Sequence, residues 1–398
     1  MKIKKIYLLL CMAILAVTCA ISAVASLESG FCTDVSLLTM QLPEKEGLNA
    51  RPSFELQAQI PKLPDSIGIY SMTSPTVNQD YVLRLAGSRL KGGEQSRAVD
   101  QGDILAVQTA TDYLSVEKAS AAETLIFNYP SVFSDLKGDL PQEDALKRNA
   151  DAYLSSGGIL PQGYQYKGTA YLTRQQVGKS GLEGVPMAMM GVASYSRTAE
   201  GLPVEGAGSS VQVLLGDGGT VLGHTKVSRN LGERIGTATT SPQTSATGLR
   251  TFELLTPEDA LKLLQQRGLS TEIADIDRAV ITQFYLAYYE AEGSVKQDTM
   301  EPIYVFKGTA SGKGGTTEFT EYMYALKAKA GSAPFEKQVR APAVSRAAGE
   351  VSAAKGTKDA ESSSISIRPG ALQPGRQLQL NQTTQPKLAN TVQPRLIK

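Results

Sequence analysis

The sequence predicts an α+β protein of tandem units, each a helix packed on a small antiparallel β-sheet, between a signal peptide and a disordered C-terminal tail. Three observations predict it. An apolar run follows an N-terminal cluster of lysines. A proline-and-acid phrase occurs twice, as "PQEDALKR" (141–148) and "PEDALKLL" (257–264). The segments after each phrase alternate in polarity and break at glycine-rich turns.

The elements follow in chain order. Lys2, Lys4 and Lys5 precede an apolar stretch from Ile6 to Ala25, and Ala23-Val24-Ala25 is a small-x-small site before Ser26. Residues 1–25 therefore read as a signal peptide. The run is near the ~20 residues that span a bilayer, so retention as an N-terminal membrane anchor is the open alternative. Thr18 before Cys19 disfavours lipoprotein attachment. Cys11 and Cys19 lie in this segment, so Cys32 alone survives cleavage and no internal disulfide can form. No later run reaches spanning length, and the mature chain is expected to be secreted or extracytoplasmic.

Residues 26–65 form an extended lead-in, because Pro43, Pro52, Pro61 and Pro64 remove donors and restrict φ. The first unit spans 66–135. Ser74-Pro75 is a cap-then-proline start, Val77, Tyr81, Leu83, Leu85 and Leu90 make a helical stripe, and Gly92-Gly93 ends it. Strands are expected near 104–109, 112–117 and 123–129. The second unit spans 136–250. Ala145, Leu146, Ala150, Tyr153 and Leu154 share a helix face that Gly157-Gly158 terminates. Val211, Val213 and Leu215 then enter a hairpin turned by Gly216-Asp217-Gly218-Gly219. The third unit spans 251–330. Thr256 caps a helix with Pro257 at its first position, and Glu258 and Asp259 meet the positive end of the dipole. Strands rich in Tyr, Phe, Val and Ile follow. Two phrases, "YKGTAY" (166–171) and "FKGTAS" (306–311), echo each other. Residues 331–398 are rich in Ala, Ser, Pro and Gln and read as a disordered low-complexity tail, with a glycosylation sequon at Asn381.

Composition excludes several function classes. Lys and Arg total 40 against 39 acidic residues, so no basic field favours nucleic acid. The chain holds one histidine, His224, which rules out a multi-histidine zinc site. A serine triad would need His224, but no Gly-x-Ser-x-Gly elbow presents a nucleophile, and His224 reads as a half-exposed strand residue. "VGKS" (177–180) has Thr173 where a phosphate loop needs glycine. "GAGSS" (206–210) has Val211 where a dinucleotide fingerprint needs its third glycine. Both read as turns. Glu143/Asp144 and Glu258/Asp259 read as helix-start acids. Glu272, Asp275 and Asp277 form a small acidic cluster with too few regularly spaced oxygens for calcium. Tyr285, Tyr288 and Tyr289 read as sheet residues. The lack of tryptophan argues against a carbohydrate cleft, although tyrosine can substitute. No catalytic, cofactor-binding or metal-ligating residue is assigned, and no cofactor is expected.

The segments "TPEDALKLL", "EPIYVFKGTA", "TEYMYALKA" and "PQEDALKRN" together resemble the PepSY family and the propeptide module of fungalysin- and thermolysin-type proteases, over about residues 139–328. The resemblance implies a cystatin-like helix on an antiparallel sheet, with no catalytic residues to transfer. It implies a free-standing, non-catalytic protein that engages a peptidase or a cell-envelope component. The expected means is an exposed sheet face or edge, with the 211–223 hairpin and the 301–310 strand as candidate edges. The alternatives are a secreted hydrolase working through two carboxylates and a structural surface protein anchored by its N-terminus.

Overall fold

A computed structural model describes residues 31–32, 34–43, 48–90, 97–129, 131–133, 135–178, 181–241, 249–271, 273, 275–330 and 377–379. Residues 1–30, expected to hold a signal peptide, and nearly all of the tail lie outside them, with Cys11, Cys19 and Asn381. Four α-helices and twenty strands fall among the described residues.

The lead-in carries regular structure. It contributes β1 (Leu48–Ala50) and β2 (Ser53–Leu56), on either side of Pro52. Distant strands supply their ladder partners, Leu269–Thr271 for β1 and residues 278–281 for β2. Proline between two short strands costs no ladder bond.

β3 (Ile67–Thr73) comes next, then helix α1 (Gln79–Arg89), β4 (Val99–Asp100), β5 (Ile104–Gln108), β6 (Tyr113–Glu117) and β7 (Glu123–Ile126). The cap of α1 is Asn78, whose side chain accepts the Tyr81 N–H, and not Ser74. An Asn in extended conformation satisfies an orphan amide that Ser74, one turn earlier, does not reach. Val82 and Ala86 of α1 pack on Leu105, Val107, Leu114, Val116 and Leu125.

Helix α2 (Glu143–Ser156) precedes β8 (Tyr164–Gly178), β9 (Gly181–Ala199), β10 (Leu202–Glu205), β11 (Ser210–Leu215), β12 (Val221–Val227) and β13 (Asn230–Thr239). Leu146, Ala150 and Leu154 meet Ala193, Tyr195, Val211 and Val213. Each buried leucine contributes about 1.5–3 kcal/mol. Then come β14 (Arg250–Glu253), helix α3 (Pro257–Arg267), β15 (Leu269–Thr271), β16 (Ile276–Tyr289), β17 (Thr299–Met300), β18 (Pro302–Gly312), β19 (Gly315–Tyr324), helix α4 (Lys327–Ala330) and β20 (Gln377–Gln379). Pro257 is the first residue of α3, and the Thr256 hydroxyl accepts the Asp259 N–H at 3.2 Å. The other copy differs by one inserted residue, Gln142. That shift leaves Pro141 outside α2 and the cap without a side-chain bond.

The helices form, but the tandem helix-on-small-sheet architecture does not. The protein is mainly β. A fourteen-stranded mixed sheet runs β19-β18-β16-β10-β9-β11-β12-β7-β6-β5-β4, with β2, β8 and β20 attached. β7 pairs with β12, so the sheet under α1 continues into the sheet under α2. β10 is antiparallel to β9 and parallel to β16, joining that sheet to the strands beside α3. A second sheet, β14-β13-β3-β17, draws its strands from all three expected units. Periodicity reports which face of a strand is buried, not which strand lies beside it, so local reading could not see this merging.

Glu200 clips the two sheets together. It sits with Gly201 in the two-residue turn between β9 and β10, both at positive φ. Its carboxylate accepts the Gly68 N–H (2.8 Å) and the hydroxyls of Tyr70 and Tyr288 (2.8 Å). Partial burial alone would raise its pKa, but the bonds from Tyr70, Gly68 and Tyr288, with Arg234 nearby, hold it below the ordinary carboxylate value. The Tyr70 hydroxyl is pushed up to about 12, by burial first and then by Glu200.

A depressed carboxylate pKa contributes stability that is present above the unfolded-state pKa and lost as pH falls through the folded one. The expected outcome is that Glu200→Gln lowers Tm at neutral pH and that the difference from wild type shrinks below about pH 4. Thermal melts monitored by circular dichroism across pH measure this. A constant difference at every pH would contradict it.

Candidate functional site

β10 pairs with β9 through Leu202 and Pro203 and with β16 through Val204 and Glu205, so it joins the two halves of the large sheet. Alternation along β9 sends Ala193 and Tyr195 into the core beneath α2 and leaves Ser194 and Ser196 on the opposite face. Register places Ser196 beside Ser210 and Ser194 beside Gln212 of β11. On the other side, Ser194 faces Gly168 of β8, which has no side chain, and Lys167 lies next to it. These groups form one wall of a cleft of about 870 Å³. The opposite wall carries Glu205, Tyr289, Lys307 and Tyr322, and the segment Gln41–Pro43 borders both.

The loop 206–209 is held close to the chain that leaves β16. Gly206 has φ +98, and a Cβ there would sit 2.3 Å from the Glu290 carbonyl oxygen. A Cβ on Gly208 would lie 2.4 Å from the Ala291 oxygen, and the Gly208 N–H donates to Glu290 O at 2.9 Å. Only glycine permits this approach.

Beneath the loop lies a buried charge group. Glu290 is fully buried and accepts from Arg197 (2.8 Å) and from Arg229 (3.3 Å), together with the Arg229 backbone N–H (3.0 Å). Arg229 also donates to the carbonyls of Ala291, Glu292 and Val295, the backbone of one cleft wall. Desolvation lowers the Arg229 pKa, and the Glu290 carboxylate opposes it. Two guanidiniums share one carboxylate, so the group carries an excess positive charge.

One charge pair lines the cleft. Glu205 accepts from Lys307 (3.2 Å) and from the Tyr285 hydroxyl (2.7 Å), whose pKa is raised by burial and by Glu205. Glu292 accepts from the Ser294 hydroxyl at 2.7 Å. Ser194 differs. It is buried, and its hydroxyl has no hydrogen-bond partner. Such a group is costly unless something arrives to satisfy it.

Gln41–Pro43 continues a strap that lacks a β-ladder. Met40 N–H reaches Thr299 Oγ1 and Glu301 Oε1, each at 3.0 Å, and Leu42 N–H reaches the Tyr324 hydroxyl at 3.0 Å. Lys329 of α4 donates to Leu38 O, Met40 O and Glu301 (2.9 Å). Burial raises the Glu301 pKa, against the opposing effect of Lys329.

The candidate residues of the sequence scatter. His224 is fully buried, not half-exposed. Its Nδ1 meets the Tyr153 hydroxyl at 2.7 Å and its Nε2 meets Glu123 Oε1 at 3.0 Å, where Arg89 also donates. It joins α2 to the strands beneath α1. Glu143 ties α2 to β8 through the Tyr166 hydroxyl and the Thr169 N–H. Asp144 lies in the first turn of α2, and Glu258 and Asp259 in that of α3. Tyr288 is buried, Tyr285 holds Glu205, and Tyr289 lines the cleft. Cys32 is partly buried, and its N–H donates to Thr251 O at 2.6 Å. Asp275 is at positive φ and Asp277 lies on β16, while Glu272, Lys179 and Ser180 lie outside the described residues. Among the described residues no cluster of three or more His, Cys, Asp or Glu could hold a metal.

Two expected docking edges are interior strands. β11 and β12 lie between β9 and β7, and β18 lies between β16 and β19. Their ladder groups are already used on both sides, which a hairpin signal cannot reveal. Sequence reasoning missed Ser194, Glu205 and Lys307, and took Gly206–Ser210 for a plain turn. One signal was present. The echoed phrases each carry a lysine, Lys167 and Lys307, and both lysines line the cleft.

The strap makes a measurable prediction. Lys329→Met should destabilise the fold by about 3–5 kcal/mol by stranding a buried carboxylate, and the double variant with Glu301→Met should lose less. Urea denaturation midpoints report both.

No family model and no curated protein matches the chain. Among solved structures, the chain is similar to an uncharacterized protein from Eubacterium rectale ATCC 33656, whose crystal structure was determined at 1.45 Å resolution. The identity is 10%, the match covers 72% of this chain and 93% of that one, and the TM-score is 0.40.

Proposed function

We propose that this chain is an exported, non-catalytic binding or regulatory protein that engages a peptidase or cell-envelope component through the cleft at the β10 seam. One observation carries the reading. The cleft combines paired charges, Glu205 with Lys307, and hydroxyl and amide side chains on a sheet, with a buried Ser194 hydroxyl that has no partner. An acid held by a lysine and a tyrosine hydroxyl, as Glu205 is, favours recognition over proton transfer. Export rests on the N-terminal signal pattern. Among the described residues no helix is long and apolar enough to cross a membrane.

A second reading keeps one observation in its favour. Glu205 and Glu292 line the same cleft, and two acids in one cleft are the first requirement of a two-carboxylate hydrolase.

The test is capture from the envelope fraction of the secreting cell, with wild type and with Ser196→Trp, which adds bulk to the cleft lining. Wild type is expected to enrich a specific component at least about tenfold over the variant. Equal enrichment by both proteins would end the binding proposal. Hydrolysis of envelope material that disappears in both Glu205→Gln and Glu292→Gln would favour the second reading.

A further inference from the structure

We infer that the cleft takes a small ligand bearing a carboxylate, seated against Lys167, Ser194 and Ser196; this rests on the cleft being the binding site. Three independent features converge.

The first is the sheet wall. Lys167 of β8, Ser194 and Ser196 of β9, and Ser210 and Gln212 of β11 lie side by side on three consecutive strands and line the cleft together. Lys167, Ser194 and Ser196 bring donors, as an anionic oxygen requires, while Ser210 already donates to Ala207 O at 3.2 Å and Gln212 accepts from Thr225 at 3.4 Å. Gly168 next to Ser194 leaves room that a side chain would otherwise fill.

The second is the orphan hydroxyl. Ser194 is 5% exposed, and its oxygen has no partner. Buried hydroxyls are ordinarily satisfied, and this unpartnered one belongs to a residue that lines the cleft.

The third is the sign of the field. On the lining, Glu205 is matched by Lys307, which leaves Lys167 on the sheet wall and Glu292 on the loop opposite. Behind that loop, Arg197 and Arg229 outnumber Glu290, and Arg229 grips the backbone of the wall itself. Glu292 is exposed to solvent, whereas the arginines are buried, and buried charge is the less screened. The cleft is therefore biased toward an anion.

A peptide carboxy terminus and a sugar acid share this chemistry, and the experiment separates them. The probes are N-acetyl-alanyl-alanine, its carboxamide, and glucuronate, titrated into the full chain by isothermal calorimetry at low and moderate salt. One or both acids should bind, with affinity falling as salt rises, and the carboxamide at least about tenfold more weakly than its acid. Lys167→Gln and Ser194→Val, checked for native melting, should each weaken the acid about tenfold. Binding of the dipeptide acid alone identifies a peptide terminus, and of glucuronate alone a sugar acid. Equal binding of acid and carboxamide, or no binding of either acid at about 10 mM, overturns the inference while leaving the cleft as a binding site. Acid binding that neither variant changes overturns the inference together with the cleft reading.

Discussion

Glu290 is the carboxylate around which the seam of this molecule is organised. It is fully buried and binds two guanidiniums from different segments of the chain. Its own backbone joins the Glu205 carbonyl and the Gly208 amide. A buried ion of this kind is tolerated only when every lone pair finds a donor, and removing one partner costs more than the set contributes. The geometry is thereby fixed. β9, β10, the end of β16 and the loop 206–209 can meet in one arrangement, and that arrangement leaves the cleft open.

The same logic recurs at each join between layers. His224, Glu123, Arg89 and Tyr153 connect the strands beneath α1 to those beneath α2. Glu200 connects the β9–β10 turn to β3 and β16. Lys329 and Glu301 hold the N-terminal strap against the third part of the chain. The apolar clusters supply most of the driving force for folding. These polar joints supply direction, because a charged hydrogen bond is satisfied at one distance and angle whereas apolar contact is permissive.

Reading the sequence recovered elements better than their assembly. The helix at Pro257 was legible because its signals are local, a threonine cap, a proline at the first position and two acids in the first turn. The hairpin around Gly218 was legible for the same reason. α1 was displaced by several residues, because Asn78 and Ser74 are both acceptable caps and only packing chooses between them. The site was nearly invisible. Ser194 and Ser196 are ordinary polar positions in an alternating strand, and Glu205 is one acid among many. The echo of "YKGTAY" and "FKGTAS" was the sole trace, and it became meaningful only when Lys167 and Lys307 were found in one cleft.

By itself the sequence determined the local features: where α2 and α3 begin, which residues of β11 alternate, and which chemistries a chain with a single histidine lacks. Tertiary structure decided the rest. It merged strands from separate segments into one fourteen-stranded sheet, buried the lone histidine, and made inner strands of the supposed edges. The physical reason is that a strand's hydrogen-bonding edges are the same for every sequence. Side-chain pattern dictates which face turns inward, but a strand's neighbour is chosen by the sum of long-range burial and buried charge pairing, which no short stretch contains.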